Sequence, residues 1–223
     1  ALTDCIDGTA SPETSELAAR NALDAAHAAE YLIAEQKRRL AHFEQLCVTN
    51  ELTGLLNRRG FEGEIARTMA GARRYREKGV LLYIDLDGFK PVNDCHGHAA
   101  GDEVLQGFAN LARNSLRDGD LVARFGGEEF TLLLPGLDSE QARPVAERIR
   151  HGISQAPWRL AGETISLTAS LGVACSQHHG YDFNTLLGAA DAALYRAKTL
   201  GRNRVELAPP PGQTDQEQVA LRL

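Results

Sequence analysis

Residues 121–134 read Leu121-Val122-Ala123-Arg124-Phe125-Gly126-Gly127-Glu128-Glu129-Phe130-Thr131-Leu132-Leu133-Leu134. Two apolar runs, each long enough for a strand, flank a pair of glycines and a pair of glutamates. This pattern predicts a β-hairpin whose turn begins with the glycines and carries the two acids at its tip. A hairpin among alternating strands and helices indicates a mixed sheet.

A second pair of acids follows an apolar run earlier in the chain. Residues 80–84, Val-Leu-Leu-Tyr-Ile, predict a buried strand that leads into Asp85-Leu86-Asp87-Gly88 and so delivers carboxylates at its end. The periodicity also predicts helices over about 99–116, 139–154 and 183–200, and strands over 165–173 and near 203–207. The expected fold is an α/β (α+β) sandwich in which one mixed central β-sheet is flanked by helices.

The N-terminal region has a different composition. Between Ser15 and Asn50 there is neither Pro nor Gly, and Ala and charged residues dominate, so we predict one long helix. A heptad seam that is apolar at most positions favours a parallel two-stranded stalk, while a lone amphipathic helix packed on its own domain is the alternative. The seam has a positions Ala19, Ala26, Ile33, Leu40 and Cys47 and d positions Ala22, Ala29, Gln36, Phe43 and Asn50.

These segments predict four parts of the chain. They are a flexible N-terminus (1–14), a helical, coiled-coil-like stalk (15–50), an α/β domain (51–207) and a disordered tail (208–223). The tail is predicted from the Pro-rich sequence at its start.

Charge and cysteine content exclude several classes of protein. The 24 Lys and Arg residues against 30 Asp and Glu give a formal charge of -6, so the basic footprint of a nucleic-acid-binding protein is absent. The four cysteines show no metal-ligand spacing and indicate reduced thiols in a cytosolic protein. We expect no membrane-spanning segment and no signal peptide. A small nucleotide remains possible as a ligand, bound by local basic residues or by metal.

The two acidic segments carry oxygen ligands of the kind that hard divalent cations prefer. Neither G-x-x-x-x-G-K-[ST] nor G-x-G-x-x-G occurs, so a P-loop or Rossmann phosphate site is not expected. Acids at turns also occur as solvated residues or helix caps, and for Asp87 this alternative is left open. His96 and His98 make a poor zinc site, because no His or Cys beyond Cys95 is clustered with them.

Several motifs in order along the chain resemble the GGDEF family, the diguanylate cyclases. The hairpin matches the family signature in its GGEEF form, and the resemblance covers about 51–207. Asn50 departs from the family pattern, which often has Asp before the Leu-Thr-Gly-Leu run. The matching segments are 52–59 (Leu-Thr-Gly-Leu-Leu-Asn-Arg-Arg), 85–90 (Asp-Leu-Asp-Gly-Phe-Lys), Asn93-Asp94, Gly97-His98, Gly101-Asp102, 126–130, 192–198 and Gly201-Arg202-Asn203.

The resemblance implies a nucleotidyl cyclase and polymerase-palm-like fold and condensation of two GTP into cyclic di-GMP plus two pyrophosphates. It implies that Asp85, the Leu86 carbonyl and Glu128 hold Mg²⁺, with Mn²⁺ as an alternative cation. Glu128 or Glu129 would assist loss of the 3′-hydroxyl proton, and which of them acts stays open. Lys90 would act at the phosphates in the same catalytic set.

The resemblance also implies the residues that bind the nucleotide. Asn93 and Asp102 would read guanine, since Asp102 can accept from N1–H and N2 whereas adenine offers neither donor. The phosphates would meet basic residues at two places, and the hairpin glycines would let the backbone approach the ligand. The expected substrate-binding set is Phe89, Lys90, Asn93, His98, Asp102, Gly126, Gly127, Lys198 and Arg202.

An inhibitory product site is expected at Arg117 and Asp120, which resemble the RxxD site of the family five residues before the paired glycines, with Arg148 as a further contact. The expected partners are GTP, cyclic di-GMP as product and allosteric inhibitor, and a second copy of the chain, since the product joins two nucleotides. We expect a cytoplasmic bacterial signalling protein whose upstream sensor domain lies outside this chain. The alternatives are a catalytically inactive receptor for GTP or cyclic di-GMP, and a scaffold that works through its stalk alone.

Overall fold

The computed structural model describes residues 12–46, 48–160 and 162–212, and the chain separates into two compact units, Ala1–Cys47 and Val48–Leu223. The described part of the first unit is a single helix, α1 (Pro12–Leu46). The predicted flexible N-terminus lies outside the described residues except for its last three, which begin α1.

Helix α1 ends at Leu46, whereas the sequence predicted a helix that continues to Asn50. The carbonyl oxygen of Val48 accepts a hydrogen bond from Asn57 N–H at 2.9 Å, and Thr49 forms an isolated antiparallel bridge with Leu56. The backbone of residues 48–50 therefore belongs to the second unit, because its polar groups form hydrogen bonds within that unit and do not continue the helix.

Large apolar side chains of α1 are exposed in the single chain. Ile33 and Leu40, which occupy a positions of the predicted heptad, are among them, and so is Phe43 at a d position. Pairing of two such helices stays a prediction that this seam motivates. The exposed set on the described part of α1 is Leu23, Tyr31, Leu32, Ile33, Leu40 and Phe43.

The second unit contains a six-stranded mixed sheet with strand order β1-β3-β4-β2-β7-β8, as the hairpin predicted. The β1·β3 and β7·β8 pairs are parallel and the other three are antiparallel. A separate hairpin joins β5 (Trp158–Leu160) to β6 (Glu163–Ile165). The sheet strands are β1 (Leu56–Asn57), β2 (Gly79–Asp87), β3 (Leu121–Gly126), β4 (Glu129–Pro135), β7 (Thr168–Cys175) and β8 (Val205–Leu207).

Helices cover both faces of the sheet. The core on one face includes α3, α4 and α5 and the core on the other includes α2 and α7. The helices are α2 (Arg58–Tyr75), α3 (Phe89–His96), α4 (His98–Asn114), α5 (Ser139–Gln155), α6 (Ser176–His179) and α7 (Phe183–Thr199).

Strand β2 lies between β4 and β7 and is apolar toward both layers. Val80, Leu82 and Ile84 belong to the core that contains α4 and α5, whereas Leu81 and Tyr83 belong to the core that contains α2 and α7. A strand that is covered by helices on both faces of the sheet has apolar residues at successive positions, which explains the sequence of this segment. The next side chain on the α2 and α7 face is that of Asp85, since side chains alternate along a strand.

The structure differs from the predicted organisation in four further details. The hairpin turn is Gly127-Glu128, with Gly126 still paired to Glu129, and helix α2 and the β5·β6 hairpin were not predicted. The tail does not begin as a disordered segment at residue 208, because Ala208 N–H donates to Val173 O at 2.7 Å. Residues 213–223 of that tail lie outside the described residues. Among the described residues, no helix is both long enough and apolar enough to cross a membrane.

Candidate active site

Asp85 lies inside β2 and not at its tip, which corrects the expectation from the sequence. Its backbone is in register with Glu129 of β4 on one side and with Ser170 of β7 on the other. The residue is only 8% exposed. A carboxylate in this position is held rigidly, because two neighbouring strands fix its backbone.

The turn of the hairpin brings Glu128 beside this acid. The N–H of Leu86 donates to the carbonyl oxygen of Glu128 at 3.3 Å, which ties β2 to the turn. Gly127 has φ +34°, so an L side chain there would be strained although no atom lies within 4 Å of the position of its Cβ. The glycine is therefore required by the turn itself, in addition to the predicted approach of a ligand.

Glu129 has a different environment from Glu128. The hydroxyl of Tyr83 lies beside its side chain, and burial together with the charge of Glu129 raises the pKa of that tyrosine. Tyr83 was not predicted as a site residue, because its place in an apolar run indicated only a core position. The contact fixes Glu129 against the sheet, whereas Glu128 lines the adjoining cleft.

Lys198, in the last turn of α7, reaches the acidic strand. Its Nζ lies 2.8 Å from Asp85 Oδ2, and the two side chains are 34% and 12% exposed. Burial raises the pKa of Asp85, and the hydrogen bond and charge of Lys198 oppose that rise. The predicted phosphate-binding lysine therefore meets the predicted metal ligand directly.

A cleft of about 470 Å³ opens next to the hairpin turn. It brings together most of the predicted nucleotide-binding residues from α3 and α4, with Gly127 and Glu128 on the hairpin side. Phe89 is buried, and its side chain is part of the core that contains α3, α4 and α5. The lining residues are Phe89, Lys90, Asn93, Asp94, His98, Asp102, Leu105, Arg124, Gly127 and Glu128.

Close packing of α3 against α4 sets the end of the cleft where guanine is expected. A Cβ added to Gly101 would come within 2.0 Å of Asn93 Oδ1 and 3.1 Å of the ring of Phe89. Gly101 therefore lets the two helices approach, and this approach brings Asn93 and Asp102 to the same cleft.

Arg124 also lines the cleft, although the sequence did not predict it as a site residue. Its Nε donates to Gly127 O at 2.9 Å and its Nη1 to Asn50 Oδ1 at 3.4 Å, so it braces the hairpin turn from within. Burial lowers its pKa, and the charges of Asp102 and Glu128 oppose that shift. Its position directly before Phe125 in a strand looked structural, and only its register beside the turn shows that it lines the cleft.

Some predicted residues do not line this cleft. Lys198 contacts Asp85 instead, Glu129 contacts Tyr83, and Gly126 lines a neighbouring cavity with Arg58. Arg202 lies in the turn that follows α7 and its side chain is exposed.

The candidate oxygen donors near the hairpin turn are of the kind that a magnesium ion prefers. Asp85 and Glu128 supply carboxylates and Leu86 a backbone carbonyl, and the Lys198 ammonium group already occupies the position of a cation at Asp85. Within 12–46, 48–160 and 162–212, no group of three or more His, Cys, Asp or Glu side chains is placed to hold a metal. Two carboxylates completed by substrate phosphates are the usual protein contribution to a Mg²⁺ site.

Comparison with known families accounts for this arrangement. The sequence profile of the family described as "Diguanylate cyclase, GGDEF domain" matches residues 48–204. The chain belongs to the GGDEF family.

In curated relatives, the matching region is part of a larger protein. The chain is 42% identical over 166 residues to the diguanylate cyclase DgcP of Pseudomonas aeruginosa, covering 74% of this chain and 24% of that protein. It is 39% identical over 171 residues to the response regulator PleD of Caulobacter vibrioides, covering 76% and 38%. The chain thus spans well under half of the length of these two relatives.

Solved structures of GGDEF domains share the fold. The GGDEF domain of TpbB, or YfiN, from Pseudomonas aeruginosa has a TM-score of 0.70 and 40% identity and covers 78% of this chain and 99% of that one. The coiled coil and GGDEF domain of DgcB from Caulobacter crescentus, solved in complex with c-di-GMP, has a TM-score of 0.69 and 30% identity and covers 83% and 99%.

The expected inhibitory residues of this GGDEF domain lie together on one surface. Arg117 Nε donates to Asp120 Oδ1 at 3.3 Å, and Arg117 Nη2 donates to Pro135 O at 2.6 Å. Arg148 on α5 reaches the carbonyl oxygen of Ser115 at 2.5 Å, two residues before Arg117. Arginine and aspartate are thus already paired, with the arginine 58% and the aspartate 5% exposed.

Proposed function

We propose that this chain carries a diguanylate cyclase domain that condenses two GTP molecules into cyclic di-GMP and two pyrophosphates. The observation that carries the proposal is the shared cleft: the candidate guanine-reading pair, Asn93 and Asp102, and the acidic turn at Glu128 line the same cavity. The names of the curated relatives support it, since several are called diguanylate cyclases.

In this proposal one nucleotide lies along the cleft, with its base toward α4 and its phosphates toward the sheet. Asp102 accepts from guanine N1–H and N2, and this discriminates against adenine because the carboxylate would lose both donors. Lys90 lines the cleft near the phosphates, and Lys198 and Arg202 approach the triphosphate from the end of α7.

Mg²⁺, or Mn²⁺ in its place, would be held by Asp85, Leu86 O and Glu128 and would neutralise charge on the phosphates. The residues of the chain do the remaining work. Arg124 braces the hairpin turn so that the carboxylate of Glu128 faces the cleft. Lys198 moves from Asp85 to the triphosphate when that ligand enters, since the triphosphate carries the larger negative charge.

The chemical step joins two nucleotides. The 3′-oxygen of one GTP attacks the α-phosphorus of the other, its proton passes to a glutamate carboxylate, and the bond from that phosphorus to pyrophosphate breaks. Glu128 is the better-placed acceptor, because it lines the cleft while Glu129 is engaged with Tyr83. A second transfer in the opposite sense closes the ring.

The proposed active form is a homodimer, because each domain has one such cleft and the product contains two guanines. The stalk helix would raise the effective concentration of the second domain. Cyclic di-GMP would inhibit at Arg117, Asp120 and Arg148, a surface separate from the cleft, by fixing the arrangement of domains.

The test is incubation of the purified chain with GTP and Mg²⁺, with cyclic di-GMP and pyrophosphate both quantified. The proposal requires two pyrophosphates for each cyclic di-GMP and loss of both in Glu128→Gln. Binding of GTP or cyclic di-GMP without product would favour the inactive receptor instead.

A further inference from the structure

Asp87 ends β2 two residues after Asp85, and its carboxylate is saturated by donors of the protein. Its Oδ1 accepts from Ser170 Oγ at 2.8 Å, and its Oδ2 accepts from Thr168 Oγ1 at 2.8 Å and from Asn203 N–H at 3.1 Å. Both oxygens are therefore engaged by groups of the strands and the turn, whereas the described side-chain contact of Asp85 is with the ammonium group of Lys198.

Asn203, whose N–H group is the third donor to Asp87, belongs to a turn with unusual backbone geometry. Gly201, Arg202 and Asn203 have φ values of 111°, 61° and 44°, so two residues with side chains occupy the left-handed region in succession. Such a conformation is costly for residues other than glycine and persists only where its surroundings hold it.

Three contacts hold this turn. Arg202 N–H donates to Ala197 O at 2.9 Å, which folds the turn back onto α7. Asn203 N–H donates to Asp87, and Asn203 Oδ1 accepts from Arg150 Nη1 of α5 at 2.8 Å. Strand β2, through Asp87, and helix α5, through Arg150, therefore both hold Asn203 in place. Helix α5 packs on the face of the sheet opposite to α7.

The held turn directly follows the helix end that carries Lys198. Gly201 N–H donates to Lys198 O at 3.4 Å, while the Lys198 side chain contacts Asp85. Two carboxylates on the same face of β2 therefore hold neighbouring parts of the chain. Asp85 contacts the ammonium group of Lys198, and Asp87 accepts from the backbone N–H of Asn203 in the turn that follows.

We propose that Asp87 and Arg150 are positioning residues that set Arg202 and the end of α7 for the distal phosphates of the nucleotide, and that Asp87 does not ligate metal. The inference rests on the proposed function, because it assumes a guanosine triphosphate in the cleft. It makes the turn a determinant of preference for triphosphate over monophosphate, since only the longer ligand reaches the distal phosphate-binding residues.

The experiment measures the dissociation constants of α,β-methylene GTP and of GMP for the wild-type chain, Asp87→Asn and Arg150→Met, with Mg²⁺ and in EDTA. The methylene bridge blocks turnover. Asp87→Asn should weaken binding of the triphosphate analogue about tenfold and of GMP less than about twofold. The larger loss of affinity for the triphosphate analogue than for GMP should persist in EDTA, because the proposed effect acts through basic residues. Arg150→Met should show the same pattern at about threefold.

Asp182→Ala is the matched control. Asp182 caps the other end of α7 by accepting from Thr185 N–H and Oγ1, so its removal destabilises the same helix without touching the turn. This variant should lower the melting temperature yet change both nucleotide affinities by less than about twofold.

Several results would overturn the inference. Equal losses for GMP and the triphosphate analogue in Asp87→Asn would show a general structural role, and a loss seen only with Mg²⁺ would make Asp87 a metal ligand. If wild type binds the triphosphate analogue and both variants bind it equally well, Asp87 and Arg150 have no positioning role. That result would leave the proposed function untouched. Failure of the wild-type chain to bind either nucleotide would overturn the proposed function as well.

Discussion

The ammonium group of Lys198 and the carboxylate of Asp85 form an ion pair of 2.8 Å across the gap between α7 and β2. The pair uses an oxygen that a metal ion at this site would also need. Under the proposed function, lysine and metal would therefore compete for Asp85, and a triphosphate would end the competition because it offers the lysine another anion. Metal and nucleotide should consequently bind together rather than separately.

The first prediction follows from this competition. Without nucleotide, wild type should bind Mn²⁺ weakly, and Lys198→Met should bind it several-fold more tightly at pH 8 while binding GTP more weakly. Free Mn²⁺ measured by electron paramagnetic resonance provides the readout. Replacing Lys78, whose partner is Asp138, by Met controls for the loss of one surface charge. Identical Mn²⁺ affinity in wild type and Lys198→Met would show that the pair does not limit metal entry.

The acidic residues themselves provide the second prediction. Asp85→Asn or Glu128→Gln should lower cyclic di-GMP formation by about a hundredfold or more. Since burial raises the pKa of Asp85, its charged form costs stability at neutral pH, and Asp85→Asn should keep or raise the melting temperature. Glu163→Gln, at an exposed position of β6, is the control. Full activity in either site variant would remove the assignment.

Sequence patterns predicted what depends on local order. The apolar run of β2, the hairpin and the helices 139–154 and 183–200 were predicted from periodicity. The structure has the two helices and the hairpin strands within one residue, whereas β2 continues three residues beyond the predicted end at Ile84. The end of α1 was misplaced, because an Ala-rich, charged segment gives no sign that Val48 and Thr49 pair with distant backbone.

The missed site residues share a physical reason. Arg124 and Tyr83 lie in strands, and Asp87 at the end of one, where sequence shows alternation but not which neighbours lie across the sheet. Their roles depend on register, such as the contact of Tyr83 with Glu129 and of Asp87 with Ser170. Only the pairing of β2 with β4 and β7 brings those partners together.

The third prediction concerns product inhibition. Because Arg117 is already paired with Asp120, cyclic di-GMP must compete with that contact, and Arg117→Ala should abolish inhibition at saturating GTP. Wild type should be inhibited non-competitively in the same titration of product. Arg143→Ala, an exposed substitution on α5, should behave as wild type. If Arg117→Ala is inhibited as strongly as wild type, the product binds elsewhere.

A fourth prediction uses the pH dependence of stability. Asp138 caps α5 by accepting from Gln141 N–H at 3.0 Å, and this bond together with Lys78 lowers its pKa. A depressed pKa contributes stability above the unfolded value, near 3.9, and that contribution disappears as pH falls through the folded value. Asp138→Ala should therefore melt a few degrees below wild type at pH 7, and the difference should shrink as the pH falls. An offset that is independent of pH would point to packing instead of the cap.

The fifth prediction addresses the stalk. Ile33 and Leu40 are 55% and 60% exposed in the single chain, which suits a seam that a second copy covers. Replacing both by Asp should reduce specific activity most strongly at low protein concentration, because the stalk supplies local concentration and no catalytic group. Activity and sedimentation should be followed over the same dilution series, with Lys37→Asp as a control at an exposed polar position of the same helix. The double variant should regain activity at high concentration, where two domains meet without the helix. A loss of equal size at every concentration would mean that the helix acts on the catalytic step rather than on association.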